Sequence, residues 1–372
     1  MSVCDVCNTS VEGTKVAAHL MRKAAAGGFT PFSSPYVDPH RLESWRMMVQ
    51  EGATNWNLCG KCLRKLLAYL SAGKDAITLM PELPGSKILA GHEERLMDVA
   101  ISSDGSRVLT SGWDETVRLW EFATGRELAC LREHKDFVAT VALAPDGRTA
   151  ASGGADQVIR IWDLERRTVI HRLKGHTFSI FSLQFSKDGS RLISASGDHT
   201  VQLWDVANGK RIRRFGGLFG GKHQSGVESV AFSPDESRVF SVGGNAMLWD
   251  TESGKQVHVF KQTPLWDGAF LDDMQAIVSG PRGFTIFDLR TAGEVETING
   301  LKANSGRFAV TRDGRLLTGG FGTVRLFNTK TRQMLFKVEG HSKSITAVAV
   351  SRDGRRAASA SDDWTARTWQ LP

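Results

Sequence analysis

Four cysteines near the start of the chain have types and spacing that suit metal chemistry: Cys4-x-x-Cys7 and Cys59-x-x-Cys62. Two such pairs supply four thiolates, the donor set of a tetrahedral structural Zn2+. The spacing therefore predicts one Zn2+ held by Cys4, Cys7, Cys59 and Cys62. A redox dithiol is the competing reading of any single C-x-x-C, but a strand–helix context for that chemistry is missing around both pairs. The fifth cysteine, Cys130 in "LACLRE", reads as a small apolar residue on an outer strand. Four thiols in two close pairs suit a reducing compartment better than a disulfide framework, so the expected location is cytoplasmic.

The segment between the cysteine pairs is long and must itself fold to bring them together. "SPYVDPHRLESWRMMVQEG" reads as a helix, with Asp38 as N-cap, Pro39 in the first turn and Gly52 beyond its end. Leu42, Trp45 and Val49 make its apolar stripe. "KCLRKLLAYLSAG" reads as a second helix, with Leu63, Leu66, Leu67 and Leu70 on one face. Residues 1–79 are thus expected to form a small α-rich zinc-binding module. Residues 80–85 are expected to be a linker, from their prolines and glycine.

From residue 86 the pattern changes to repeats. Asp-Gly turns fall at Asp104-Gly105, Asp146-Gly147, Asp188-Gly189, Asp313-Gly314 and Asp353-Gly354, with Asp235-Glu236 and Asp272-Asp273 filling the gap. Each follows an alternating strand such as "VAIS" or "VALA" and precedes a second strand, the signal of a tight hairpin. A third strand then ends in an aromatic residue: Trp120, Trp162, Trp204, Trp249, Phe287, Phe327 and Trp369. Units of about forty residues cannot each bury a core, so the seven must stack radially.

Residues 86–372 resemble the WD-repeat family, on "GH" at 91–92, 175–176 and 340–341 and "WD" at 162–163, 204–205 and 249–250. The resemblance implies an all-β, seven-bladed β-propeller and a polar set in each full blade. Those sets are His92, Thr110, Asp114 and Trp120; His134, Ser152, Asp156 and Trp162; His176, Ser194, Asp198 and Trp204; and His341, Ser359, Asp363 and Trp369. Their residue types resemble hydrolase triads, but a catalytic site would occur once, whereas these recur at blade spacing. Blades five and six depart, with Phe287 and Phe327 and no clear His or Asp partners. Blade four has His223, an insertion over 215–225 and a shortened "SVGGNAMLW" where the Asp should fall. The last unit lacks a fourth strand, and the resemblance implies that "SKILAG", 86–91, supplies it.

Trp113 has no counterpart at the repeat spacing, unlike Trp120. By the resemblance it sits on one rim of the propeller, while Trp120 is buried between blades. Met97, Phe137, Phe181 and Trp266 are expected at the same rim. Gathered apolar groups at a rim favour a protein or peptide partner.

The net charge of +7 is spread along the chain, which argues for solubility and against a dedicated nucleic-acid footprint. No run of eighteen apolar residues offers a membrane span. The expected function is a non-enzymatic protein-interaction scaffold. A nucleic-acid adaptor using the zinc module is the second reading, and an enzyme at the propeller mouth the third. No Gly-rich phosphate loop or metallohydrolase motif supports the enzyme.

Overall fold

A computed structural model describes residues 86–216, 223–260, 265–299 and 307–372, and the backbone of four short strands nearer the start. The chain divides into two compact units, Met1–Pro81 and Glu82–Pro372. In the first, Ser2–Val3 pairs antiparallel with Ser10–Val11, and Thr14–Ala17 with Asn55–Leu58. What is described there is strand, which lends no support to an α-rich module. The helices expected over 38–52 and 61–73, and the four cysteines, lie outside the described residues.

The second unit is built from antiparallel sheets whose strands follow one another in sequence, and no helix occurs among the described residues. Leu96–Ile101, Arg107–Gly112, Thr116–Glu121 and Glu127–Arg132 make the first blade. Four more four-stranded blades begin at Val138, Ile180, Ser229 and Asp267. The last sheet has seven strands because Met334–Val350 runs through two blades. Its first half pairs with Phe321–Asn328 and its second with Arg356–Ser361. Lys87–Ala90 completes this sheet by pairing with Thr365–Thr368, so the seventh blade takes its outer strand from the front of the unit. First strands of neighbouring blades pack together all the way round, and the seventh meets the first.

The core lies between blades. Seven buried apolar clusters among the described residues each join two neighbours. The aromatic ending each third strand enters the cluster shared with the preceding blade: Trp120 meets Ala358 and Ala366 of blade seven, and Trp162 meets Leu109 and Val117 of blade one. Phe287 and Phe327 fill the same slots in blades five and six. Those blades, which the sequence left without His and Asp partners, therefore keep the inter-blade packing without the indole N–H and the relay it joins.

Two local devices recur at the blade edges. Gly105 takes φ +70 in the first hairpin, a conformation that costs glycine little, whereas blade four places Glu236 there at φ +61. The second device was not foreseen. Opposite the aromatic slot each outer strand of blades one to six slips by one residue, as between Leu119↔Ala129 and Trp120↔Glu127. The bypassed residue is always apolar: Leu128, Ile170, Ile212, Val257, Val295 or Leu335. Such bulges break the ladder that another strand would need, and so blunt the exposed edges against pairing.

Candidate functional site

Five blades carry a buried polar relay. In the first, Trp120 Nε1–H donates to Thr110 Oγ1 at 2.8 Å, and that hydroxyl lies 2.7 Å from His92 Nε2. His92 Nδ1 faces Asp114 at 3.0 Å, and the carboxylate also accepts Glu93 N–H. A carboxylate only accepts, so the network assigns the ring proton to Nδ1, and Nε2 accepts a hydrogen bond from the hydroxyl. The same geometry links His134, Ser152, Asp156 and Trp162. It recurs for His176, Ser194, Asp198 and Trp204, and for His341, Ser359, Asp363 and Trp369.

Blade four holds a relay that the sequence reading missed. His223 Nε2 lies 2.7 Å from Ser241 Oγ, which accepts Trp249 Nε1–H, and Asn245 Oδ1 stands where the other blades have a carboxylate. The signal was present: Asn245 is 22 residues after His223, as Asp114 is after His92. All five hydroxyls are fully buried, with both neighbours on the relay. They are placed to satisfy polar groups between blades rather than to meet a substrate.

Electrostatics follow from burial and pairing. Burial opposes ionisation of Asp363, yet the His341 hydrogen bond and charge, with Thr365, outweigh it and hold its pKa at about 2. Burial pushes His92 and His134 below the ordinary histidine value despite their aspartates. His223, whose partner is a neutral amide, falls to about 4.

The rim carries an aromatic cluster. Trp120 is fully buried, whereas Trp113, seven residues earlier, is 39% exposed. Trp113 stacks on Phe137 with ring centroids 5.1 Å apart, and its N–H points to Met97 Sδ at 3.1 Å. The Arg95 guanidinium lies 3.9 Å from the indole centroid. Met97, Trp113 and Phe137 are thus brought together by two neighbouring blades. Phe181 and Trp266 stand apart from this cluster among the described residues; Trp266 stays exposed in blade five, and the Phe181 carbonyl accepts Arg307. Arg95, Phe178 and Phe321 were not foreseen, the two phenylalanines being 56% and 67% exposed. Phe178 follows the blade-three histidine by two residues, which could have flagged it. Blade six has no histidine to align Phe321.

Arg307 occupies the channel just inside this rim. It donates to the Phe181 carbonyl at 2.9 Å and lies 3.8 Å from Asp98. Asp98 is buried and accepts Val141 N–H of the next blade, as Asp267 accepts Phe308 N–H of its own next blade. Burial raises the pKa of both carboxyls, and the Arg307 charge opposes that rise.

Four-stranded blades in a closed ring, most with a buried His–hydroxyl–Asp–Trp relay, define a repeat β-propeller. The chain belongs to the WD-repeat family: the family described as "WD domain, G-beta repeat" matches residues 85–121, 125–163, 167–205, 217–250 and 332–370, about half of the chain. The unmatched stretch contains blade five and most of blade six, where phenylalanine replaces tryptophan. Among curated relatives, it is 54% identical over 39 residues to cross-pathway control WD-repeat protein 2 of Flammulina velutipes. That match covers 10% of this chain and 12% of the relative. It is 48% identical over 40 residues to small ribosomal subunit protein RACK1 of Drosophila melanogaster, covering 11% of this chain and 13% of that protein. Each match spans about one blade, only a small part of the relative's length.

Proposed function

We propose that the chain is a non-enzymatic scaffold that binds a protein or peptide partner on the rim carrying Trp113. The observation that carries this reading is the cluster of Trp113, Phe137, Met97 and Arg95. It keeps a large indole partly open to solvent while fixing its orientation. Such rigid aromatic anchors beside an arginine dominate protein-binding energies. A relative matched over one blade, MST50-interacting protein 11 of Pyricularia oryzae, is named for an interaction. The location proposed is cytoplasmic.

Capture of partners from native lysate by the whole chain tests this. Trp113→Ala should weaken capture by about 2 kcal/mol or more while leaving the melting temperature nearly unchanged. Unchanged capture by both Trp113→Ala and Phe137→Ala would rule the rim out.

The N-terminal unit is proposed to hold structural Zn2+ through Cys4, Cys7, Cys59 and Cys62. Two backbone facts support the fit: the paired strands Ser2–Val3 and Ser10–Val11 bracket Cys4-x-x-Cys7, and Asn55–Leu58 runs directly into Cys59. Four thiolates suit a closed, tetrahedral site. Zinc measured at one ion per chain, with loss of N-terminal structure on chelation, is the expected result. A metal-free protein with a Cys4–Cys7 disulfide would refute it.

A further inference from the structure

The first strands of the blades wall a central channel of about 520 Å3. Its charged lining is asymmetric. Near the aromatic rim, Asp98 and Asp267 face Arg307. At the opposite end the residue before an Asp-Gly turn looks into the channel, and three of these are cations: Lys187, Arg312 and Arg352. No carboxylate lines that end among the described residues. The aspartates that follow the cations in sequence are turned into their own hairpins. Asp188 accepts the Ser186 hydroxyl at 2.6 Å, and Asp353 accepts the Ser351 hydroxyl and the Arg355 N–H at 3.0 Å. Asp313 is held by Thr311 and Arg315.

Lys187 is tied to the Pro234 carbonyl. Arg312 and Arg352, on adjacent blades, are exposed and have no hydrogen bond or ion pair among the described residues. Two free guanidiniums at the mouth of a concave site, with a lysine on a third blade, suit an anion with several charged oxygens. A guanidinium grips phosphate through paired N–H groups, and the cavity is of ordinary size for a small ligand. A singly charged anion would be poorly held in so open a mouth, because water and salt screen it.

We propose that this end of the channel binds a small ligand bearing several phosphates, through Arg312 and Arg352 with Lys187 opposite. The site lies away from the Trp113 rim and does not depend on the rim reading.

Titration calorimetry of the full chain with inositol hexakisphosphate tests the site, together with capture by phosphatidylcholine vesicles carrying phosphatidylinositol bisphosphate. One molecule should bind per chain and weaken as salt rises. Combined Arg312→Gln and Arg352→Gln should weaken binding at least about tenfold, whereas Lys330→Gln, on blade six but outside the channel, should not. Both arginines are exposed, so the double variant should melt with the wild type, which separates lost binding from lost fold. Vesicle capture that the double variant loses assigns the phosphates to a lipid headgroup. Soluble binding without vesicle capture assigns a free ligand. Failure of both probes to bind, or equal binding by the double variant, overturns the proposal.

Discussion

The side-chain oxygen of Asn245 stands 3.0 Å from His223 Nδ1, in the place that Asp114 takes beside His92. Both acceptors satisfy the ring N–H, but only the carboxylate stabilises a positive imidazolium. His223 is therefore held neutral, with a pKa of about 4 against 6.5 for a free side chain.

Acid should weaken this blade. A histidine whose folded pKa is depressed contributes its full stability above pH 6.5. That contribution is lost as pH falls towards 4, because the unfolded chain takes up the proton first. The loss attributable to His223 should reach about 2 kcal/mol by pH 5. Asn245→Asp should raise the His223 pKa and shrink this loss. Urea melts of both proteins at pH 7 and pH 5 measure it, and identical pH sensitivity would refute the assignment.

Trp120 tests the relay separately from the packing. Its ring fills the slot between blades seven and one, and its N–H satisfies Thr110. Trp120→Ala should cost about 3–5 kcal/mol, as core aromatic truncations do. Trp120→Phe keeps much of the ring, as Phe287 and Phe327 do in their own slots, but leaves the fully buried Thr110 hydroxyl short of a donor. Its cost should be smaller, about 1–3 kcal/mol. Equal losses for the two variants would show that the hydrogen bond, not the ring volume, dominates.

Arg307 sets the charge balance of the channel. Asp98 and Asp267 have raised carboxyl pKa values, chiefly from burial, and Arg307 is the cation that opposes the rise in both. Arg307→Ala should destabilise the protein by about 1–3 kcal/mol at neutral pH, since it leaves partly buried carboxylates uncompensated. The sign of the pH effect is opposite to that for His223. A carboxyl with a raised folded pKa binds its proton more readily folded than unfolded, so acidification through that pKa relieves the penalty. The gap between variant and wild type should narrow from pH 7.5 to pH 5. A gap that widens on acidification would contradict this account.

Much of the propeller was legible because repetition multiplies a weak signal. One Asp-Gly pair says little, but five in register with a column of aromatics require a stacked array. The relay residues came with the family resemblance, and Asn245 was missed because an acid was sought where any acceptor would serve. The outer-strand bulges were not legible. Ile212 and Val295 are bypassed only relative to the partner strand, and that register is a property of two strands together. The Arg307 contacts were hidden for a similar reason: the channel brings together residues from blades one, three and six that lie far apart in sequence. Arg95 escaped notice because a surface arginine becomes informative only when its guanidinium is seen over the Trp113 ring. The expected zinc module falls largely outside the described residues, where only its flanking strands can be placed.

Closure of the ring gives the last prediction. Lys87–Ala90 hydrogen-bonds to Thr365–Thr368, and Leu89 is fully buried in the cluster that also holds Trp120, Ala358 and Ala366. Removing this strand would strip the seventh blade of its outer member and open the interface between the first and last blades. It would also expose Thr365–Gln370, which in the intact protein keeps an unbroken register with its outer partner, unlike the third strands of the other blades. An unbulged, newly bared edge is the kind that recruits other chains. A chain starting at residue 84 should therefore melt cooperatively and stay monodisperse, whereas one starting at residue 93 should melt earlier and aggregate. Light scattering and thermal melts of the two decide the matter. If both melt together and remain monodisperse, the ring does not depend on the borrowed strand.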